Sequence, residues 1–126
     1  MDQRPLSPHL SVYKLPLLPL VSIITRICAV ALSIGILVFG IWLISLGYSS
    51  DSLAFLTEIL VSPVGVVLLV GWTFAFMWHS ANGVRHLFWD AGHGFSLTVA
   101  ERSAYAVIIF SVVGTSILWS YIWSAL

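Results

Sequence analysis

Three long stretches of this chain carry no formal charge, at 27–50, 59–84 and 103–126; the charged residues are Asp2, Arg4, Lys14, Arg26, Asp51, Glu58, Arg85, Asp90, Glu101 and Arg102. Each stretch exceeds the ~20 apolar residues needed to cross a hydrocarbon core about 30 Å thick. The composition agrees, with 60% hydrophobic residues and 8% charged, against roughly 25% charged in a soluble domain. In lipid every backbone polar group must be satisfied internally, which leaves helices or a closed barrel. Barrel strands alternate over ~10 residues, whereas these runs are continuously apolar. The fold class is therefore all-α, a membrane protein of three transmembrane helices. Little chain remains outside the bilayer for a soluble catalytic domain. No phosphate loop, nucleophile motif, zinc-ligand spacing or basic nucleic-acid patch is present. The single Cys28 lies inside the first run and cannot form an internal disulfide.

The chain reads as one membrane domain over 1–126. Four of its five prolines fall in the first twenty residues. Proline removes a helical hydrogen bond and biases its predecessor toward extended backbone, so 1–20 is expected to be an extended arm. That segment has neither the uninterrupted apolar core of a signal peptide nor the Arg-rich amphipathic pattern of an import presequence. Helices are expected at about 21–47, 63–90 and 98–125. Between the first two lie the polar loop "GYSSDS" and a short segment to Ser62. "SP" at 62–63 is a helix start, with Ser62 as cap and Pro63 at the first position. "DAGHG" at 90–94 supplies turn residues, and "TVAE" at 98–101 has the form of a capping box with Thr98 as cap.

Basic residues mark the arm (Arg4, Lys14), the start of the first span (Arg26) and the second loop (Arg85, Arg102), while the first loop has only Asp51 and Glu58. By the positive-inside rule, the N-terminus and second loop face the cytoplasm, or the matrix in a mitochondrion. This topology gathers Ser22, Arg26, His79, Arg85, His86 and Asp90 near one membrane surface.

His79 lies sixteen residues after Pro63, about 24 Å along a helix, inside the hydrocarbon or at its boundary. An ionisable residue there faces a partner or a cavity. A neutral imidazole offers one nitrogen as ligand and the other as donor, which suits an axial haem ligand in a bundle; a packing histidine bonded to a neighbouring helix is the alternative. His79 and His86 share one face but sit about 10 Å apart, too far to bind one metal ion jointly. Gly83, at i+4 from His79, leaves room for a flat ligand or for a second helix. Ser22 and Arg26 share a face at i, i+4. Arg26 either snorkels to the headgroups or, with the Ser22 hydroxyl, meets a carboxylate or a quinone carbonyl in an apolar cleft. Arg85 and Asp90 read as an ion pair closing the second helix. His93 and His9 read as polar loop residues.

Three motifs, "RPLSPHLSVYKLPL" at 4–17, "SIITR" at 22–26 and "HSANGVRHLFWDAG" at 79–92, occur in the order found in a known family. The chain resembles the cytochrome b556 membrane-anchor subunits of succinate dehydrogenase, respiratory complex II. The resemblance covers essentially the whole length, and the last motif, H-x3-G-x-R-H-x3-D, is its most specific part. It implies a membrane anchor whose helices form part of a haem-binding bundle completed by a second anchor subunit. His79 then matches the axial ligand of a shared haem b, Ser22 and Arg26 match residues lining the ubiquinone site, and Arg26 with His86 matches the surroundings of the haem propionates. Arg85 and Asp90 match positions with structural or docking roles toward the iron–sulfur subunit. Many relatives carry histidine immediately before that arginine, where this chain has Thr25, which leaves Arg26 and His86 as the propionate partners. Succinate would be oxidised on a separate flavoprotein subunit, with electrons passing through iron–sulfur clusters to ubiquinone. An N-terminus starting almost at the first motif favours a bacterial inner membrane over a mitochondrial one. The competing reading is a non-redox membrane protein, such as a proton or ion pathway using the buried His and Arg. A third is an anchor that has lost its haem site.

Overall fold

The computed structural model describes residues 14–48 and 50–125; residues 1–13, with most of the expected arm and His9, lie outside them. The described residues form four helices and no strand: α1 (Leu17–Tyr48), α2 (Ser50–Val61), α3 (Pro63–Asp90) and α4 (Leu97–Ala125). Three of them, α1, α3 and α4, are long and apolar enough to cross a membrane.

Two expectations need correction at the start and end of α1. Residues 17–20 are helical rather than extended, and the first helical bond runs from Leu20 N to Pro16 O. Pro19 sits in the first turn, where its missing N–H would have had no intrahelical partner. Beyond Tyr48, the residues read as a loop and a short connecting segment form α2 instead. With 12 residues, α2 is too short to be stable alone and too short to span. It is held against α1 and α3, with the Trp42 indole donating to Thr57 Oγ1 at 3.4 Å.

The break between α2 and α3 is tight. Ser62 N bonds back to Glu58 O and Ile59 O, and Ser62 Oγ accepts from Gly65 N at 3.1 Å, the cap expected from "SP". Gly65 is required here, because a Cβ would collide with the backbone of Ile59 and Leu60. At the other end of α3, Ala91 N, Gly92 N and His93 N close the helix onto Leu87 O, Trp89 O and Phe88 O. Gly92 (φ 81°) and Gly94 (φ 85°) take left-handed backbone, open to glycine at no steric cost. The capping box at Thr98 does not form as expected. Helix α4 begins at Leu97, and Ser96, whose carbonyl accepts from Ala100 N, takes the cap position.

Contacts fix the directions of the spans. Thr25 meets Trp78 and Asn82 while Gly35 meets Trp72, so α1 and α3 run antiparallel. Arg85 meets Ser103 while Thr73 meets Trp119, so α3 and α4 do too. The α4 surface facing inward is a row of small side chains, with Ala100, Ala104, Val107, Ser111 and Thr115 all buried. Small residues let backbones approach where lipid provides no hydrophobic drive between helices. The buried core is thin, made of Val21, Cys28, Ala75, Trp78, Ala104 and Val107. Large apolar side chains such as Ile27, Leu37, Val67 and Ile117 face outward, as in a protein solvated by lipid or covered by partner subunits.

Candidate functional site

The arginine-bearing end of the bundle is tied together by a chain of polar side chains. Thr25 on α1 donates its hydroxyl to Val21 O at 2.8 Å and accepts from Trp78 Nε1 at 3.0 Å and Asn82 Nδ2 at 3.1 Å. Asn82 turns its carbonyl oxygen toward Arg85 Nη1 at 3.3 Å. Arg85 continues to α4, donating through Nε to Ser103 Oγ at 2.8 Å and through Nη2 to Ala100 O at 3.1 Å. Its guanidinium also lies over the Trp89 ring, 4.0 Å from the centroid, a cation–π contact. The Trp89 indole in turn donates to Gly94 O. Trp78 is 3% exposed, Asn82 2% and Arg85 8%. Buried polar groups are costly in an apolar medium unless bonded, and here each reaches a partner on a neighbouring helix.

The expected ion pair between Arg85 and Asp90 does not form. Five residues along a helix turn a side chain by about 140°, so the two cannot share a face. Arg85 points inward to α4 while Asp90 is exposed.

The remaining candidates lie beside this chain rather than in it. Ser22, Arg26, His79, Gly83, His86 and Asp90 are all exposed. Each of the first five directly follows a residue turned toward a neighbouring helix: Val21, Thr25, Trp78, Asn82 and Arg85 respectively. One step along a helix is a rotation of about 100°. In two right-handed antiparallel helices, the same rotation in chain direction leads to the same side of the pair. The Ser22–Arg26 stripe of α1 and the His79–Gly83–His86 stripe of α3 therefore border one open face, and α4 packs on the other side of α3. The heights match as well, because Thr25 is bonded to both Trp78 and Asn82, which brings Arg26 level with the turn that carries His79 and Gly83.

The chemistry available on this face suits a flat group with an electrophilic metal and acidic edges. His79 is a nitrogen donor free to project from the helix. A Cβ added at Gly83, one turn away, would meet nothing within 4 Å, so the surface there is open. Arg26 supplies a cation, and His86 stands edge-on to Trp89 with ring centroids 4.9 Å apart. Among the described residues no three His, Cys, Asp or Glu side chains gather into a metal site, so a metal bound through His79 needs ligands from elsewhere. A separate apolar cavity of about 600 Å³ lies between α3 and α4, bordered by Val84, Phe88, Trp89, Val99 and Phe110. Neither Ser22, Arg26 nor His79 lines it.

Thr25, Trp78, Asn82 and Ser103 were not singled out as a network by sequence reasoning. The available signal was Asn82 and Thr25 themselves, uncharged polar residues well inside spans, which in lipid tend to bond across helices.

Residues 1–118 match the model of the family described as succinate dehydrogenase/fumarate reductase transmembrane subunit. The chain is 36% identical over 118 residues to the succinate dehydrogenase cytochrome b556 subunit of Rickettsia felis, covering 94% of this chain and 92% of that protein. It is 43% identical over 110 residues to the protein of the same name from Paracoccus denitrificans, covering 87% and 85%. To the mitochondrial cytochrome b560 subunit of succinate dehydrogenase from Bos taurus it is 34% identical over 114 residues, covering 89% and 68%.

Proposed function

The chain belongs to the succinate dehydrogenase/fumarate reductase transmembrane subunit family and is a membrane-anchor subunit of succinate dehydrogenase, and from this premise we propose that its open α1–α3 face holds a shared haem b and borders the ubiquinone-reduction site. The observation that carries this reading is the meeting of two stripes on one face at one height, Ser22 and Arg26 from α1 with His79, Gly83 and His86 from α3. His79 would hold the haem iron from this chain, with a histidine of the second anchor subunit holding it from the other side of the interface. Haem b, when bound, supplies a one-electron redox centre. Arg26 and His86 would meet its carboxylates, because they are the basic side chains left on that face beside His79. Ser22 and Arg26 donate hydrogen bonds to a ubiquinone carbonyl, holding charge that develops on the oxygen as electrons arrive.

The flavoprotein subunit oxidises succinate, and the iron–sulfur subunit carries electrons to this membrane surface. Asp90, exposed at the end of α3, is placed to dock that subunit, while Arg85 acts structurally from within. The basic residues Arg26, Arg85 and Arg102 share one end, and the α2 end has Asp51 and Glu58 but no Lys or Arg. The arginine end therefore faces the cytoplasm of a bacterial inner membrane. A proton or ion pathway is not favoured, since the relatives are cytochrome subunits.

The test is a reduced-minus-oxidised visible spectrum of the complex co-expressed with its partner subunits, for the wild type and His79→Ala. A b-type band that disappears or shifts in the variant supports the assignment. An assembled wild-type complex with no band overturns it.

A further inference from the structure

We propose that Thr25 is a positioning residue for the quinone and haem face: by accepting the Trp78 indole and the Asn82 amide together, it sets the height and rotation of α1 against α3. The inference rests on the functional reading given above and adds to it the device that brings Ser22 and Arg26 into place.

A hydroxyl has one donor and two acceptor lone pairs. Thr25 uses all three, toward Val21 O, Trp78 Nε1 and Asn82 Nδ2. Two donors converging from different turns of α3 fix more than distance. Trp78 and Asn82 are one turn apart, so holding both leaves α1 no freedom to slide along α3 or roll against it. Apolar contacts around them do not do this, since Val21, Cys28 and Leu32 tolerate small displacements without losing a directional bond.

The residues that matter for the reaction are the immediate neighbours of these three. Arg26 follows Thr25, His79 follows Trp78 and Gly83 follows Asn82. A surface side chain on a helix about 10–12 Å across moves ~2 Å when the helix rolls by ~20°. A misplacement of ~1 Å can cost ~10²-fold in rate. A histidine at position 25 would have one acceptor nitrogen when neutral and could receive only one of the two donors. The threonine is thus matched to the Trp78–Asn82 pair of this chain.

The experiment compares Thr25→Val and Thr25→Ser with the wild type in the assembled four-subunit complex. It reads KM and kcat for a soluble ubiquinone analogue and the midpoint potential of the haem by optical redox titration. Thr25→Val keeps the shape and removes the acceptor; the expected result is a rise in quinone KM of about tenfold with a smaller change in kcat, and a displaced midpoint potential. Thr25→Ser, which keeps the hydroxyl, restores both. If Thr25→Val lowers the yield of complex, Trp78→Phe removes one of the two donors and is read the same way. A wild-type complex with haem and quinone reduction, but variants that match it in both KM and potential, overturns the inference alone. A wild-type complex lacking both readouts overturns the functional reading on which it rests.

Discussion

The two ends of this bundle are held together by different forces. At the arginine end, Thr25, Trp78, Asn82, Arg85 and Ser103 join three helices through interhelical bonds of 2.8–3.1 Å. Toward the α2 end, α1 meets α3 through rings: Phe39, stacked on Trp42 of its own helix at 6.0 Å, lies tilted to Trp72 of α3 at 6.5 Å. An apolar cavity of about 520 Å³ opens beside them. The interhelical bonds there are long, 3.4 Å from Trp42 to Thr57 and 3.3 Å from Trp119 to Thr73. Trp72 Nε1 and Thr115 Oγ1 are buried with no hydrogen-bond partner among the described residues. Directional bonds specify rotation and register, whereas stacked rings and methyl groups specify only proximity. The candidate ligands sit at the end where specification is needed.

This contrast can be broken by substitution. The largest effect is expected for Arg85→Leu, which leaves Ser103 Oγ and Asn82 Oδ1 without their donor, leaves Ala100 O with the Ser103 hydroxyl alone, and takes the cation from the Trp89 ring. It should cost about 3 kcal/mol from cavity and unpaired acceptors, seen as a clear drop in the apparent Tm of the detergent-solubilised complex. Thr73→Val at the other end removes one long interhelical bond, from Trp119, along with the hydroxyl's bond back to Leu69 O on its own helix, and should cost only about 0.6 kcal/mol, the usual worth of an interhelical hydrogen bond in a membrane protein. A Tm loss as large as that of Arg85→Leu would erase the distinction between the ends. Smallest of all is Trp72→Phe. It deletes an N–H that has no partner among the described residues, so the Tm should move by less than about 0.5 kcal/mol equivalent, and a large loss would show that the indole is bonded in the assembled complex.

The spans were legible because charge cannot be hidden in hydrocarbon: a run such as 59–84 admits few other readings. Helix α2 was not legible. Its sequence, with Asp51, Ser52 and Glu58, has the polarity of a loop, and its helicity comes from packing on α1 and α3. The start of α1 falls earlier than the sequence suggests, because Pro19 reads as a breaker although the first turn tolerates it. For the site, spacing alone groups His79 with His86 and Ser22 with Arg26 as members of common faces, since that depends only on helix geometry. It could not say which face of α1 meets which face of α3. The roles of Thr25, Asn82 and Arg85 depend on that pairing, which is why the sequence suggests Asp90 as the partner of Arg85 although Arg85 belongs to Ser103 and Ala100.

Along α3 each of the inward residues Trp78, Asn82 and Arg85 is followed directly by an outward one, His79, Gly83 and His86 in turn. The two sets share a reading phase, and one residue of shift exchanges it. Removing a single position between 79 and 82 would turn everything beyond it by about 100°, carrying Asn82 and Arg85 off their acceptors and His86 off the open face in the same event. Within this segment, then, substitution and deletion are different kinds of change: a substitution can harm the scaffold or the site separately, while a deletion must take both.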